Sequence, residues 1–213
     1  MNLWHWLEAG RTMMIPIAAA SLIGLAVIIE RLLVLRRSRV IAPEIAAAID
    51  TIEPGRDLNV PDTICRGRPG PLANLVRAGL DHADSDWTVI RDVLQETGRR
   101  EATLLNRRLG VLETIAAISP LMGLLGTVLG MIRIFAAVSA AGIGDPEALA
   151  AGISEAMVTT AAGLFVGIPA AVAFHSLEAR AERLVFDLEN EAAKLLDRLR
   201  RRQETASGAA GRP

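Results

Sequence analysis

Glu155 is an acidic residue inside an otherwise apolar segment. The stretch GISEAMVTTAAGL, residues 152–164, opens a run with no other charged residue that continues to Phe174. A run of that length and composition is typical of a membrane span. A carboxylate within a span is costly unless it is protonated, hydrated or paired, and burial favours its protonated form. Glu155 is therefore a candidate for reversible proton binding.

Three further polar positions come near Glu155 if the two apolar segments around residue 144 fold onto each other. This folding places Arg133 opposite Glu155, and Thr160 near the level of Thr127. The threonine level lies roughly 8 to 9 Å further along the hairpin, at about 1.5 Å per residue. On an ideal helix Thr159 shares the face of Glu155 better than Thr160 does. The sequence predicts a ladder of polar groups across an apolar hairpin.

The same residues also allow a structural interpretation. Glu155 and Arg133 would then form a stabilising bridge in a membrane scaffold, near the outer end of the hairpin. Thr127 can bond back to the carbonyl of Gly123, as threonine does within helices. Both interpretations remain open on the residues alone.

Other kinds of chemistry find little support. The histidines, His5, His82 and His175, are scattered, and Cys65 has no neighbour at a metal-ligand spacing, so we expect no metal, no cofactor and no enzyme. The glycine-rich GLLGTVLG lacks the Lys and Ser/Thr of a phosphate loop. A net charge of −1 gives no excess of basic residues for nucleic acid.

The elements that must position these residues are membrane helices. Hydrophobic residues make up 51% of the 213 residues, with 3% aromatic, which is too apolar for an ordinary soluble protein. We predict an all-α membrane protein with three spans, residues 13–35, 111–138 and 152–175. Small residues at GxxxG spacing allow close helix packing in lipid, and they are Gly126 with Gly130 and Gly163 with Gly167. Gly123, Thr127 and Gly130 form a stripe that suits a smooth pore wall.

Arginine positions predict the orientation. Arginines follow the first span, precede the second and follow the third, whereas the loop between the second and third has none. By the positive-inside rule, segments 1–12 and 139–151 lie outside, and segments 36–110 and 176–202 lie in the cytoplasm.

The cytoplasmic segments are predicted to be helical. Residues 41–52 and 71–83 suit short helices, with a turn-rich linker between them. A helix starting near Ser85 can run directly into the second span. The amphipathic tail extends the third span, and residues 203–213 are predicted to be disordered.

Two motifs together resemble a known family. ISPLMGLLGTVLGMIRIF, followed by GISEAMVTTAAGLFVGIPAAVAF, is similar to the paired motifs of the TolQ/ExbB proton-channel family, which is related to the flagellar stator subunit MotA. The similarity extends to the Glu-Arg pair closing the first span and to PGPLANLVRAGL in the cytoplasmic loop. Three spans rather than four weigh against a flagellar-type stator.

The resemblance implies roles for particular residues. The family's intramembrane glutamate falls on Glu155, and its pore threonines fall on Thr127 and Thr160, with Thr159 as the alternative that helix geometry favours. It also implies a pentamer whose pore holds single-span TolR/ExbD-like subunits carrying an aspartate. Proton flow would then energise a TonB- or TolA-like partner from the inner membrane. The sequence leaves open whether the pathway is of TolQ or ExbB type.

Overall fold

The fold is entirely helical wherever the structure describes it. The computed structural model describes residues 11–53, 58–141 and 146–210, apart from the side chains of some residues within helices, Glu155 among them. These ranges contain no strand, as predicted. The helices are α1 (Arg11–Val34), α2 (Arg37–Val40), α3 (Pro43–Asp50), α4 (Asn59–Gly67), α5 (Pro71–Asp81), α6 (Trp87–Asn106), α7 (Leu109–Ala141) and α8 (Pro146–Ala210).

Three stretches are long and apolar enough to cross a membrane, which agrees with the predicted number of spans. They are Met13–Val34, Trp87–Ala136 and Gly152–Thr205. Large apolar side chains on these helices are exposed: Leu22 is 71% exposed, Leu121 62% and Phe165 82%. Water-soluble monomers rarely expose so much contiguous apolar surface, so these faces need lipid or another protein chain as a neighbour.

The chain divides into two compact units. The first comprises Met1–Glu30 and Arg108–Ser176, and so contains most of α1, nearly all of α7 and the first part of α8. Within it, Gly24 of α1 packs against Ile115 and Leu112 of α7. Arg108 also donates a hydrogen bond to Glu30, which joins the ends of α1 and α7.

The second unit comprises Arg31–Arg107 and Leu177–Pro213. Its core contains aliphatic side chains from α3, α5, α6 and the distal part of α8, among them Ile49, Leu72, Ile90, Leu188 and Leu195. Buried leucines and an alanine of α8 recur every three or four residues at positions 177, 181, 184 and 188, which gives the helix one apolar face for this core.

One short helix was missed by the sequence analysis. The predicted turn-rich linker between α3 and α5 contains α4. Pro61 lies in the first turn of α4, where a proline is tolerated because its missing N–H has no partner there. Pro61 and Cys65 are buried four residues apart, and Arg66 forms an (i, i+4) ion pair of 2.7 Å with Asp62. Packing against the neighbouring helices therefore outweighs the turn composition.

The predicted continuous helix from Ser85 into the second span is wrong at two points. The N-cap is Asp86, whose carboxylate accepts a 2.9 Å hydrogen bond from the Thr88 amide. Helix α6 ends at Asn106, and Arg107 has an extended backbone. Arg108 has φ of 68°, which ends helical continuity before α7.

The C-terminal tail is also more helical than predicted. Helix α8 continues to Ala210, beyond residue 203 where we expected disorder to begin. Gln203 donates hydrogen bonds to the carbonyls of Ala83 and Ser85, at 2.9 and 2.6 Å. This contact ties the tail to the turn between α5 and α6, which sequence periodicity alone does not reveal.

Candidate functional site

The polar ladder lies on a helical hairpin formed by α7 and the first part of α8. The closest approaches follow an antiparallel register: Gly152 lies beside Ile134, Gly130 beside Ala156, and Gly167 beside Pro120. This register lies within two residues of the folding about residue 144 that the sequence suggested.

Glycines from both helices lie in the hairpin interface. A Cβ atom added to Gly126 would lie 2.5 Å from Thr159 Oγ1, and one added to Gly130 would lie 2.8 Å from Ala156 Cβ. A Cβ on Gly163 would lie 2.5 Å from the carbonyl oxygen of Ser119. Any side chain at these positions would force the two helices apart.

Two glycines of the predicted pore-wall stripe pack against α8, and the role of the stripe as a pore wall stays a prediction. A Cβ on Gly123 would lie 2.8 Å from the Thr159 carbonyl oxygen, so Gly123 faces α8, as Gly130 does. Hydrophobic periodicity identifies a stripe of small residues but not what lies against it. We therefore assign these glycines to packing between the two helices.

Thr127 and Thr160 form the polar contact at the centre of the hairpin. Their hydroxyl oxygens are 2.7 Å apart. The Thr160 hydroxyl also lies within hydrogen-bond distance of the Gly123 carbonyl oxygen, at 3.1 Å. The Thr127 hydroxyl lies 2.8 Å from the Leu124 carbonyl oxygen. Both side chains are half-buried. The structure thus brings together two threonines that lie 33 residues apart in the sequence.

Thr159 has a different environment. It is 3% exposed, and its hydroxyl donates a 2.7 Å hydrogen bond to the Ala156 carbonyl of its own helix. Its side chain fills the space left by Gly126. Thr159 is therefore enclosed by the neighbouring helix, whereas Thr160 contacts a hydroxyl group of that helix.

The backbone of Glu155 lies in α8, five residues before Thr160, or about 7.5 Å along the helix axis. Its side chain is outside the part of the chain that the structure describes. The register puts its backbone between the contacts of Gly152 with Ile134 and of Ala156 with Gly130. Arg133 is exposed on α7 near this level. The Glu155–Arg133 bridge accordingly stays a prediction.

Ser119 is a polar residue that the sequence analysis did not single out. It is fully buried, and its hydroxyl has no hydrogen-bond partner within the described residues. The following Pro120 lies inside α7 and leaves the Ala116 carbonyl without its helical N–H. The Ser-Pro pair within an apolar run was the sequence signal that polar groups without hydrogen-bond partners would occur here.

Metal chemistry receives no support from the described residues. No group of three or more His, Cys, Asp or Glu side chains in these ranges is arranged to hold a metal ion. Cys65 lies in the second unit and is buried, and burial, with repulsion from Asp62, raises the pKa of its thiol to about 11. A neutral thiol is a poor nucleophile and metal ligand.

Comparison with known proteins gives concordant matches. Residues 68–190 match the MotA/TolQ/ExbB proton channel family, a range that contains the whole hairpin. The chain is 46% identical over 112 residues to the biopolymer transport protein exbB1 of Vibrio cholerae, covering 52% of this chain and 49% of that protein. It is 41% identical over 91 residues to the Tol-Pal system protein TolQ of Haemophilus influenzae, covering 43% and 40%.

A longer match extends beyond the hairpin. The putative biopolymer transport protein ExbB-like 3 of Synechocystis is 32% identical over 170 residues, covering 75% of this chain and 77% of that protein. The matches to the Vibrio and Haemophilus proteins, by contrast, span less than half of those proteins. The family model covers more than half of this chain, including both motifs of the hairpin. The chain therefore belongs to the MotA/TolQ/ExbB proton channel family.

Proposed function

We propose that this protein is a proton-channel subunit of an inner-membrane motor. The motor would couple the proton motive force to work on an envelope-spanning partner of TonB or TolA type, for outer-membrane transport or envelope maintenance. Membership of a channel family and three apolar helices support a membrane transport role rather than an enzyme. The observation that carries the residue-level proposal is the 2.7 Å contact between Thr127 and Thr160.

The hydrogen bond between the two hydroxyl groups can run in either direction, because each hydroxyl can donate or accept. If Thr160 donates to Thr127, then Thr127 can donate to the Leu124 carbonyl at 2.8 Å. If Thr127 donates to Thr160, then Thr160 can donate to the Gly123 carbonyl at 3.1 Å. Both arrangements leave each hydroxyl satisfied. A proton would pass by transfer from one hydroxyl oxygen to the next, and rotation of the two O–H bonds would then restore the starting order. This cycle suits a relay that must accept and release protons repeatedly.

Glu155 supplies the titratable group of the proposed pathway. Protons would enter from the outer side, bind Glu155 and an acidic residue of the partner in the pore, and pass the threonine level to the cytoplasm. A hydroxyl does not ionise at neutral pH, so the threonines can relay protons but cannot store them. A carboxyl can do both within a membrane.

We further propose that five copies surround a TolR/ExbD-like dimer. The exposed apolar side chains of α1, α7 and α8 provide surface for neighbouring subunits as well as for lipid, Phe165 being the most exposed among them. The arginines that follow α1 and precede α7 support an orientation with the large loop and the C-terminus in the cytoplasm.

The test is Glu155→Gln in cells that depend on the complex. Glutamine keeps the size and polarity of the side chain but cannot carry a proton. We expect loss of growth or transport driven by the proton motive force, with normal amounts of the complex recovered from the membrane together with its single-span partner. Arg133→Gln serves as the matched control.

Two results would contradict the proposal. Retained activity in Glu155→Gln would exclude the carboxyl from the pathway. Failure of both Glu155→Gln and Arg133→Gln to assemble would indicate a structural bridge, and hence a scaffold.

A further inference from the structure

A cavity of about 380 Å³ lies at the basic end of α1, within the second unit. It is formed where the chain leaves α1 and turns through α2 toward α3, beside the start of α5. Its lining includes an apolar side chain of α1, three arginines and two residues that precede helices, which are Leu33, Arg36, Arg39, Arg68, Ala42 and Gly70.

The arginines give this cavity a positive charge. Neither Arg36 nor Arg39 has an ion pair among the residues that the structure describes. Arg68 donates two hydrogen bonds to Glu44, at 2.8 and 2.7 Å, so its charge is already partly balanced. Arg37 lies between the two unpaired arginines in the sequence, but it pairs with Asp187 at 3.2 Å and does not line the cavity. Two guanidinium groups thus remain available for an anion.

Backbone dipoles add to this charge. Ala42 and Gly70 precede α3 and α5, and neither cap residue supplies a side-chain hydrogen bond to its helix. Pro43 and Pro71 begin these helices and carry no N–H, and the backbone amide of Glu44 bonds its own carboxylate. The contribution therefore comes from the dipole at the start of α5, which favours an anion at that end. Ala73, in the first turn of α5, also lines the cavity. These features alone would not define a ligand, but they act in the same direction as the arginines.

The position of Leu33 decides which anion fits. Leu33 is 46% exposed and precedes the last residue of α1, which is long and apolar enough to span the membrane. The cavity therefore joins an exposed apolar side chain to cationic groups at the end of a candidate span, the level at which phospholipid headgroups would lie. A soluble phosphate would use the arginines but would gain nothing from Leu33.

We propose that this cavity binds the phosphodiester headgroup of an anionic phospholipid, with an acyl chain lying along Leu33. Arg36 and Arg39 contact the phosphate, because bidentate guanidinium groups match its oxygens. Such a lipid would hold α2 and the start of α5 at the membrane surface. The proposal does not depend on the proton pathway.

The experiment measures lipid retention by the full-length protein. Purified and delipidated protein in detergent is titrated with dioleoylphosphatidylglycerol or dioleoylphosphatidylcholine, and bound lipid is counted by native mass spectrometry. We expect the wild type to retain phosphatidylglycerol preferentially. Arg36→Gln and Arg39→Gln should each weaken that retention about five-fold, the change expected for roughly 1 kcal/mol per basic residue at an anionic surface. Arg37→Gln, which removes a neighbouring charge outside the cavity, should bind like the wild type.

Three outcomes would overturn the proposal. If Arg37→Gln weakens phosphatidylglycerol retention as much as Arg36→Gln and Arg39→Gln do, the lipid binds to diffuse surface charge rather than to this cavity. Equal retention of both lipids would remove the role of the anion. Displacement of phosphatidylglycerol by excess inorganic phosphate would assign the cavity to a soluble anion instead. Circular dichroism of each variant separates lost binding from lost folding, and Leu33→Ser provides a second variant that leaves the charges unchanged.

Discussion

At the scale of single residues, the proposed proton pathway depends on a few polar groups in apolar surroundings. Thr127 and Thr160 satisfy each other across the hairpin, whereas Thr159 is satisfied by its own helix. The two neighbouring threonines therefore make different contacts. Thr160 hydrogen-bonds across the two helices, and Thr159 packs against Gly126.

The hydroxyl of Thr160 can be tested with two substitutions. Thr160→Val keeps the shape but removes the hydroxyl, and Thr127 retains its bond to the Leu124 carbonyl. We expect a loss of stability of only about 1 kcal/mol, the net value of one hydrogen bond, but loss of proton-driven activity. Thr160→Ser should keep the activity. Equal activity of the valine and serine variants, measured at equal membrane abundance, would remove Thr160 from the relay.

Cys65 provides a test of packing in the second unit. Its thiol is 1% exposed, and burial raises its pKa from 9.0 to about 11. The raised native pKa means that the neutral thiol's contribution to stability is complete below pH 9 and is lost as the pH rises through 11. At pH 8 we expect iodoacetamide to label the folded protein far more slowly than the denatured protein. Labelling at equal rates would contradict the buried position.

At the scale of elements, the hairpin depends on glycine where α7 and α8 approach each other. Small residues let two backbones come close in lipid, where packing rather than water exclusion drives helix association. Gly126 and Gly110 make a matched pair, since both lie in α7 but only Gly126 faces α8.

Gly126→Ala should destabilise the hairpin. The new Cβ would lie 2.5 Å from Thr159 Oγ1 and 2.8 Å from Thr159 Cβ, an overlap whose relief typically costs about 1–3 kcal/mol. Gly110→Ala should be neutral or stabilising, because no atom lies within 4 Å of its added Cβ. Thermal unfolding of both variants in detergent measures the difference. An equal melting temperature for the two variants would show that the helices are not packed as described.

The break between α6 and α7 depends on the backbone of Arg108. Its φ of 68° is a left-handed conformation, which costs a residue with a side chain roughly 1–2 kcal/mol. Arg108→Ala and Arg108→Gly both lose the pairing with Glu30, but only glycine relieves the backbone cost. We expect the glycine variant to be more stable than the alanine variant by about 1 kcal/mol in thermal unfolding. The reverse order would mean that the backbone there is not left-handed.

At the scale of the whole molecule, orientation in the membrane is the main prediction. Arginines flank the same end of each span, so the tail after α8 and the loop between α1 and α7 should lie in the cytoplasm. Fusion of a reporter active only in the cytoplasm should give signal after Pro213 and none within residues 142–145. Signal at both positions, or at the hairpin loop alone, would reverse the predicted topology.

Assembly belongs to the same scale. The complex should have five times the 22.7 kDa mass of the chain, plus its partner, when measured by light scattering in detergent. A monomeric mass would contradict the proposed pentamer, and the exposed apolar faces would then contact lipid only.

The sequence alone determined the membrane class and the three apolar helices. Hydrophobic runs identify spans reliably because lipid leaves few alternatives to a helix, and a carboxylate within a run is conspicuous because it is costly. The motifs around Thr127 and Glu155 then identified the family.

Only the tertiary structure decided which small and polar groups meet. The contact of Thr160 with Thr127, the packing of Gly123 and Gly130 against α8, and the formation of α4 within a turn-rich linker all depend on contacts with a second helix. Helical periodicity gives the faces of one helix, but the register between two helices follows from close packing over many side chains. A shift of one or two residues in that register, too small to read from loop length, changes which side chains face each other.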